Sequence, residues 1–120
     1  MPTPEPMRFA DEWVRAWNAH DIEAVLAHFR DDVVFTSPVA ARVVPASGGV
    51  VRGKEALRDY WATALDQLPR LRFEVVAVYR GESTLVVNDR NHRDQLVNEV
   101  LTFDGDGRVR EGHGTYLETS

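Results

Sequence analysis

Residues 17–38 read WNAHDIEAVLAHFRDDVVFTSP, and this stretch decides how the rest of the chain must fold. Trp17 closes a helical pattern. Phe9, Trp13 and Trp17 recur every four residues, with Ala10 and Val14 beside them, so residues 7–19 predict a helix with one broad apolar stripe. Asn18-Ala19-His20 interrupts that period. Asp21 then offers a carboxylate to cap a second helix, Glu23 complements the positive end of its dipole, and Ile22, Val25, Leu26 and Phe29 supply its buried face. Asp31-Asp32 ends the helical pair. Val33-Val34-Phe35-Thr36-Ser37 is β-rich, and Pro38, which cannot donate to a ladder, closes it.

Outward from this stretch the pattern separates into helix first and strand afterwards. Residues 39–52 read as a loop with Pro45 and Gly48-Gly49, holding a short strand at Val50-Val51. Residues 54–68 predict a third helix whose stripe is Ala56, Leu57, Tyr60, Trp61, Ala64, Leu65 and Leu68, and Pro69 ends it. Four strands follow, over 71–79, 84–91, 96–103 and 108–117. Their turns lie at 80–83, at 92–95 and at Asp104-Gly105-Asp106-Gly107, a strong hairpin signal. The expected fold is α+β: three N-terminal helices packed on one face of a strongly curved antiparallel sheet, together forming a cone. The interior of the cone is the natural pocket. Residues 1–6 are expected to form a loose N-terminus and residues 7–120 a single domain.

Composition narrows the function. The chain has 120 residues, 43% of them hydrophobic, which suits one globular domain. Its net charge of -5, with Lys54 the only lysine and the arginines scattered, argues against a nucleic-acid partner. There is no cysteine, so disulfides, thiolate nucleophiles and Cys-type zinc sites are excluded. No apolar run approaches the ~18 residues of a membrane span, and the first residues lack the basic-then-apolar form of a signal peptide. A cytoplasmic protein without a membrane partner is expected. The four histidines are too widely spaced for a metal site, and a hairpin turn explains Asp104–Gly107 better than half a calcium loop. No metal and no cofactor are expected.

The chemistry centres on VNEVLTF, residues 97–103. Val97, Glu99, Leu101 and Phe103 share one face of a strand, so a carboxylate is aimed where its neighbours are apolar. With His92–Gln95 as the turn, Asn88 faces Glu99 and Arg90 faces Val97, which brings Asn88, Arg90 and Glu99 onto the inner face. On the next hairpin Glu99 faces Gly112. Gly112 and Gly114 then leave space beside the carboxylate and Tyr116 lies further along, whereas a bulge would bring Glu111 and His113 inside instead. Leu85, Val87 and Val100 would point outward. In an apolar cone Glu99 has a raised pKa and serves as an acid or base, with Asn88 orienting it. Tyr60, Trp13 and Ser37 supply donors, and Trp17, Phe35, Trp61 and Leu101 supply walls. The competing arrangement is a buried Glu99–Arg90 ion pair, which would lower the pKa.

The blocks W-N-A-H-D, F-R-D-D, S-P, G-K-E-A-L and F-D-G-D-G-R-V, in this order of elements, resemble the NTF2-like superfamily and, within it, SnoaL-like proteins and ketosteroid isomerases. The resemblance covers Phe9 to Leu117 and implies a cystatin-like α+β barrel. It implies a homodimer formed through the outer sheet face. It also implies a small, mainly apolar or aromatic ligand in the cone. In the isomerases a general-base Asp precedes the proline that ends the first strand, and here that residue is Ser37. Their first-helix tyrosine falls at Trp13 and their protonated Asp at Glu99. Steroid isomerisation is therefore not expected. The resemblance leaves two function classes open. One is a cofactor-independent isomerase, cyclase, dehydratase or hydrolase using Glu99. The other is a non-catalytic ligand-binding or protein-interaction domain of the same fold.

Overall fold

Helix α1 (Pro6–Asn18) starts where the Glu5 carboxylate accepts from the backbone N–H groups of Met7, at 3.2 Å, and Arg8, at 2.7 Å. The computed structural model describes residues 4–118. The looseness expected of residues 1–6 lies, for residues 1–3, outside the described residues. Helix α1 ends with the Ala19 N–H on the Arg15 carbonyl and with His20 in the left-handed region at φ 56.

Asp21 caps α2 (Ile22–Leu26) through a 3.1 Å bond from the Ala24 N–H. This helix is shorter than its apolar pattern suggests. Phe29 is already the first residue of strand β1 (Phe29–Thr36), and Asp31 and Asp32 are exposed on that strand rather than closing a helix. Phe29 satisfies a helical and a strand period equally, so the pattern extends the helix past its true end.

Pro38 ends β1 and at the same time begins a helix. Ser37 Oγ accepts from the Val39 N–H at 3.1 Å and caps α3 (Pro38–Val43), inside the stretch expected to be loop. A proline at the first helical position has no N–H to orphan, so the same residue suits both roles. A single 3₁₀ turn (Pro45–Ser47) and Gly48 at φ 63 return the chain to β2 (Val50–Arg52). Helix α4 (Lys54–Gln67) and strands β3 (Glu74–Arg80), β4 (Thr84–Arg90), β5 (Leu96–Phe103) and β6 (Val109–Tyr116) complete the fold.

The six strands form one sheet in the order β2-β1-β6-β5-β4-β3. All neighbours are antiparallel except β1 and β6, which run parallel because β1 comes from the helical half and inserts beside the end of the meander. The register shifts between Phe29 and Val34, between Val75 and Ala77, and between Thr102 and Phe103. Such bulges increase strand twist and bend the sheet. Helix α1 lies against β3, and α4 against β1 and β2. Between helices and concave face sits the core, in which Leu26, Phe29, Leu57, Leu85, Leu101 and Val109 are fully buried. Each such side chain contributes about 1.5–3 kcal/mol. Among the described residues no helix is long and apolar enough to cross a membrane.

Candidate functional site

The core is not solid. A cavity of about 650 Å³ opens inside the cone, walled by Trp13 and Trp17 of α1, Tyr60 and Trp61 of α4, Phe35 of β1 and Leu101 of β5. Trp13 and Trp17 reach it together because residues four apart share a helix face. Their rings meet edge-on at 6.1 Å, and Trp17 meets Trp61 edge-on at 4.8 Å. Phe73, which the sequence reading passed over, stacks on Trp13 at 5.8 Å. The Asn18 side chain holds Phe73 in place by donating to its carbonyl at 2.9 Å and accepting from its N–H at 2.8 Å. His20 bonds the Leu71 carbonyl at 2.9 Å, because the α1–α2 junction folds onto the segment before β3.

Glu99 is 8% exposed and faces this cavity, flanked by Val97 and Leu101 on its own strand. Its cross-strand neighbours differ from those expected. Glu99 opposes Val87 on β4 and Gly114 on β6, not Asn88 and Gly112. The β4–β5 loop has five residues, Asn91–Gln95, rather than four. Asn91 Oδ1 accepts from the Arg93 and Gln95 N–H groups, and Asp94 takes φ 63. That one extra residue moves every side chain of β4 to the other face.

Asn88 and Arg90 therefore lie on the outer face. There Asn88 donates to Asn98 Oδ1 at 2.7 Å, and Arg90 pairs with Asp94 at 3.3 Å. The expected Glu99–Arg90 pair does not form. Leu85 and Val87, expected to point outward, are fully buried in the core, while Val100 opposes Val86 on the outer face. Gly112 is not open space. A Cβ there would fall 2.9 Å from Phe35 Cδ1 and 3.2 Å from Leu101 Cδ2, so two side chains cover it. Gly114 is the glycine that opens room beside the carboxylate. A Cβ at that position would lie 3.4 Å from Ser37 Oγ and 3.7 Å from Glu99 Oε1. Glu111 and His113 stay outside, bonded to each other at 2.8 Å, with His113 also on Thr36 Oγ1 at 2.6 Å.

The slipped register brings in a residue that sequence reasoning missed. Asp89 opposes Val97 on the inner face, diagonal to Glu99, and is 0% exposed. Neither of its carboxyl oxygens has a hydrogen-bond partner. Burial pushes its pKa up to about 8. Burial, reinforced by the nearby Asp89, also holds Glu99 well above the usual carboxylate range. Among the described residues no cation pairs with either carboxyl. Desolvation with no compensating charge favours the neutral acid in both groups.

Two phenols join them. Burial raises the Tyr60 hydroxyl to about 12, with Glu99 acting in the same direction and Ser37 and Arg42 against it. Tyr116 is raised by burial first, then by Glu99 and Tyr60. The indole N–H groups of Trp13 and Trp17 are buried without partners. Glu99, held toward its neutral form, two phenols and Ser37 line an interior that can donate hydrogen bonds and is poor in charge. That arrangement can polarise a carbonyl-type oxygen and hand it a proton. Among the described residues no group of three potential metal ligands converges.

The sequence pattern of the SnoaL-like domain matches residues 10–116. No curated protein matches the chain. Among solved structures, a SnoaL-like protein of unknown function from Burkholderia thailandensis is similar at 34% identity and TM-score 0.87, covering 94% of this chain and 95% of that one. TerC, co-crystallised with polyporic acid, is similar at 17% identity and TM-score 0.76, with 94% and 92% covered. An NTF2-like protein of unknown function from Cytophaga hutchinsonii gives 13% identity and TM-score 0.68, with 98% and 95% covered, so the last two likenesses concern the fold. On the family match and the Burkholderia relative, the chain belongs to the SnoaL-like domain family.

Proposed function

We propose that the cone binds a small, mainly apolar molecule carrying a carbonyl-type oxygen, and that Glu99 performs cofactor-independent acid/base chemistry on it. The observation that carries this reading is a buried carboxyl with no cationic partner at the wall of a 650 Å³ cavity. Perturbed acids in clefts are functional-site candidates for that reason. In the forward step the Glu99 proton passes to the substrate oxygen. The carboxylate left behind is poorly solvated and takes a proton from the adjacent carbon, which restores the acid. Tyr60 and Tyr116 hold the oxygen during the exchange. Isomerisation, aldol-type cyclisation and dehydration all use that pair of transfers.

The test compares wild type with Glu99→Gln in a thermal-shift screen against steroids, polyketide-like aromatics, terpenoid epoxides and fatty acids. A ligand that binds the native state raises Tm by mass action. A class that stabilises both proteins but is turned over only by wild type supports the reading. Equal turnover by the variant would sink it. A second reading, a binding domain of the same fold without turnover, is favoured by Ser37 standing where related isomerases carry their base. Binding without turnover in either protein would support it. We also propose a homodimer through the outer sheet face, where Val76 and Tyr79 are exposed at 49% and 63%. Light scattering should give twice the 13.6 kDa chain mass, and a monomeric mass would exclude the dimer.

A further inference from the structure

The mouth of the cone differs in charge from its interior. Arg42 of α3 and Arg93 of the β4–β5 loop both line the cavity and both are exposed. Neither forms an ion pair with a described residue. Arg42 reaches far enough inward for its charge to act on the Tyr60 hydroxyl. His92 lies next to Arg93, Gln67, Asn91 and Gln95 are neutral, and Glu118 is the one carboxylate among the described residues at the mouth. Deeper in, the order reverses. Glu99 supplies a carboxyl at the cavity wall, Asp89 lies fully buried behind it, and among the described residues no cation pairs with either. In a chain of net charge -5, two unpaired guanidinium groups at one cavity mouth run against the overall composition.

These facts constrain the ligand. An anionic group pushed to the bottom of the cone would sit beside Glu99 with no cation of the cavity wall to neutralise it. At the mouth the same group meets two planar guanidiniums, each able to bind a carboxylate through paired N–H donors. The aromatic and aliphatic walls accept only an uncharged body.

We propose that the cone takes an amphiphilic ligand, with a ring-bearing apolar body inside and a carboxylate or other singly charged acidic group held at the mouth by Arg42 and Arg93. This rests on the reading of the cone as a ligand site and adds the substrate class and its orientation. The acidic end anchors outside, and the neutral, oxygen-bearing end is presented to Glu99.

The experiment is titration calorimetry with matched probes: naphthoic acid and naphthamide, anthraquinone carboxylic acid and its carboxamide, and pyrene carboxylic acid and its carboxamide. Proteins are the wild type, Arg42→Gln and Arg93→Gln. The acid of a pair should bind about tenfold tighter than its amide at low salt, with the preference shrinking as salt screens the contact. Each arginine variant should weaken the acid about three- to tenfold and leave the amide unchanged. If the amides bind as tightly as the acids, or the variants weaken both alike, the anionic anchor is overturned while the cone stands as a ligand site. If no member of any pair binds, the cone fails as an apolar ligand site and the anchor fails with it.

Discussion

Replacing Asp89 by Asn should change how stability depends on pH as well as stability itself. Asp89 is 0% exposed, its two oxygens have no partner, and burial raises its pKa from 3.8 to about 8. The folded protein therefore keeps this proton up to about pH 8, while the unfolded chain releases it near pH 4. Between those limits the native state binds more protons, so stability is greatest at the acid end and falls as pH rises. One such group contributes a slope of about 1.4 kcal/mol per pH unit, or roughly 2–3 kcal/mol between pH 6 and 8. For a chain of this length 1 kcal/mol corresponds to about 4 °C, so the share of Asp89 is a fall in Tm of about 10 °C over that interval. Asn has the same shape and no proton to lose. Its amide leaves donors unsatisfied at a cost of about 1–3 kcal/mol, which lowers the curve at every pH without tilting it. The assay is Tm by circular dichroism at half-unit steps from pH 5.5 to 8.5. The curve of Asp89→Asn should be flatter than that of wild type by the stated amount, and adding Glu99→Gln should flatten it further, since Glu99 is raised for the same reason. Parallel curves for wild type and Asp89→Asn would refute the claim that this carboxyl is buried as the neutral acid.

Two further outcomes concern the frame around the cavity. Gly112→Ala places a Cβ 2.9 Å from the Phe35 ring, and the forced repacking should cost about 1–3 kcal/mol in urea unfolding, whereas an unchanged midpoint would mean that Phe35 yields freely. Asn18→Ala removes both bonds that fasten Phe73. It should destabilise by about 1–3 kcal/mol and quicken hydrogen exchange at the Phe73 amide, and unchanged exchange there would show that Trp13 stacking alone fixes the segment.

Helices α1 and α4, the start of α2 and the last hairpin were legible because their signals are local, whereas α3 was hidden behind a proline that also reads as a strand end. The four-residue spacing of Phe9, Trp13 and Trp17, the Asp21 cap and the Asp104–Gly107 turn each act within a few residues. Glu99 was legible as an inward carboxyl for the same reason, since Val97, Leu101 and Phe103 on its own strand identify the face. Its partners were not, because they depend on counting across loops. In the β4–β5 hairpin one uncounted residue exchanged Asn88 and Arg90 for Asp89. Leu85 and Val87 in β4 held the corrective signal, since a strand with these two outward and Asn88 and Arg90 inward inverts the usual alternation. In the β5–β6 hairpin two errors cancelled. The turn displaces the pairing by one residue, the bulge after Thr102 by another, and so the face of Gly112, Gly114 and Tyr116 was right while the residue opposite Glu99 moved from Gly112 to Gly114. The mouth arginines carry no periodic signature at all. Arg42 and Arg93 line one cavity only because α3 and the β4–β5 loop, far apart in the chain, converge on it.

The two glycines of β6 differ in what they permit. Position 112 is locked by the ring and the leucine that cover it, and position 114 has ordinary van der Waals room facing both Ser37 and Glu99. Alanine at 114 would therefore set a methyl at ordinary contact distance from both Ser37 and Glu99, whereas alanine at 112 must displace a ring. The surroundings of Glu99 can thus be varied from one position of β6 while the rest of the strand is left alone.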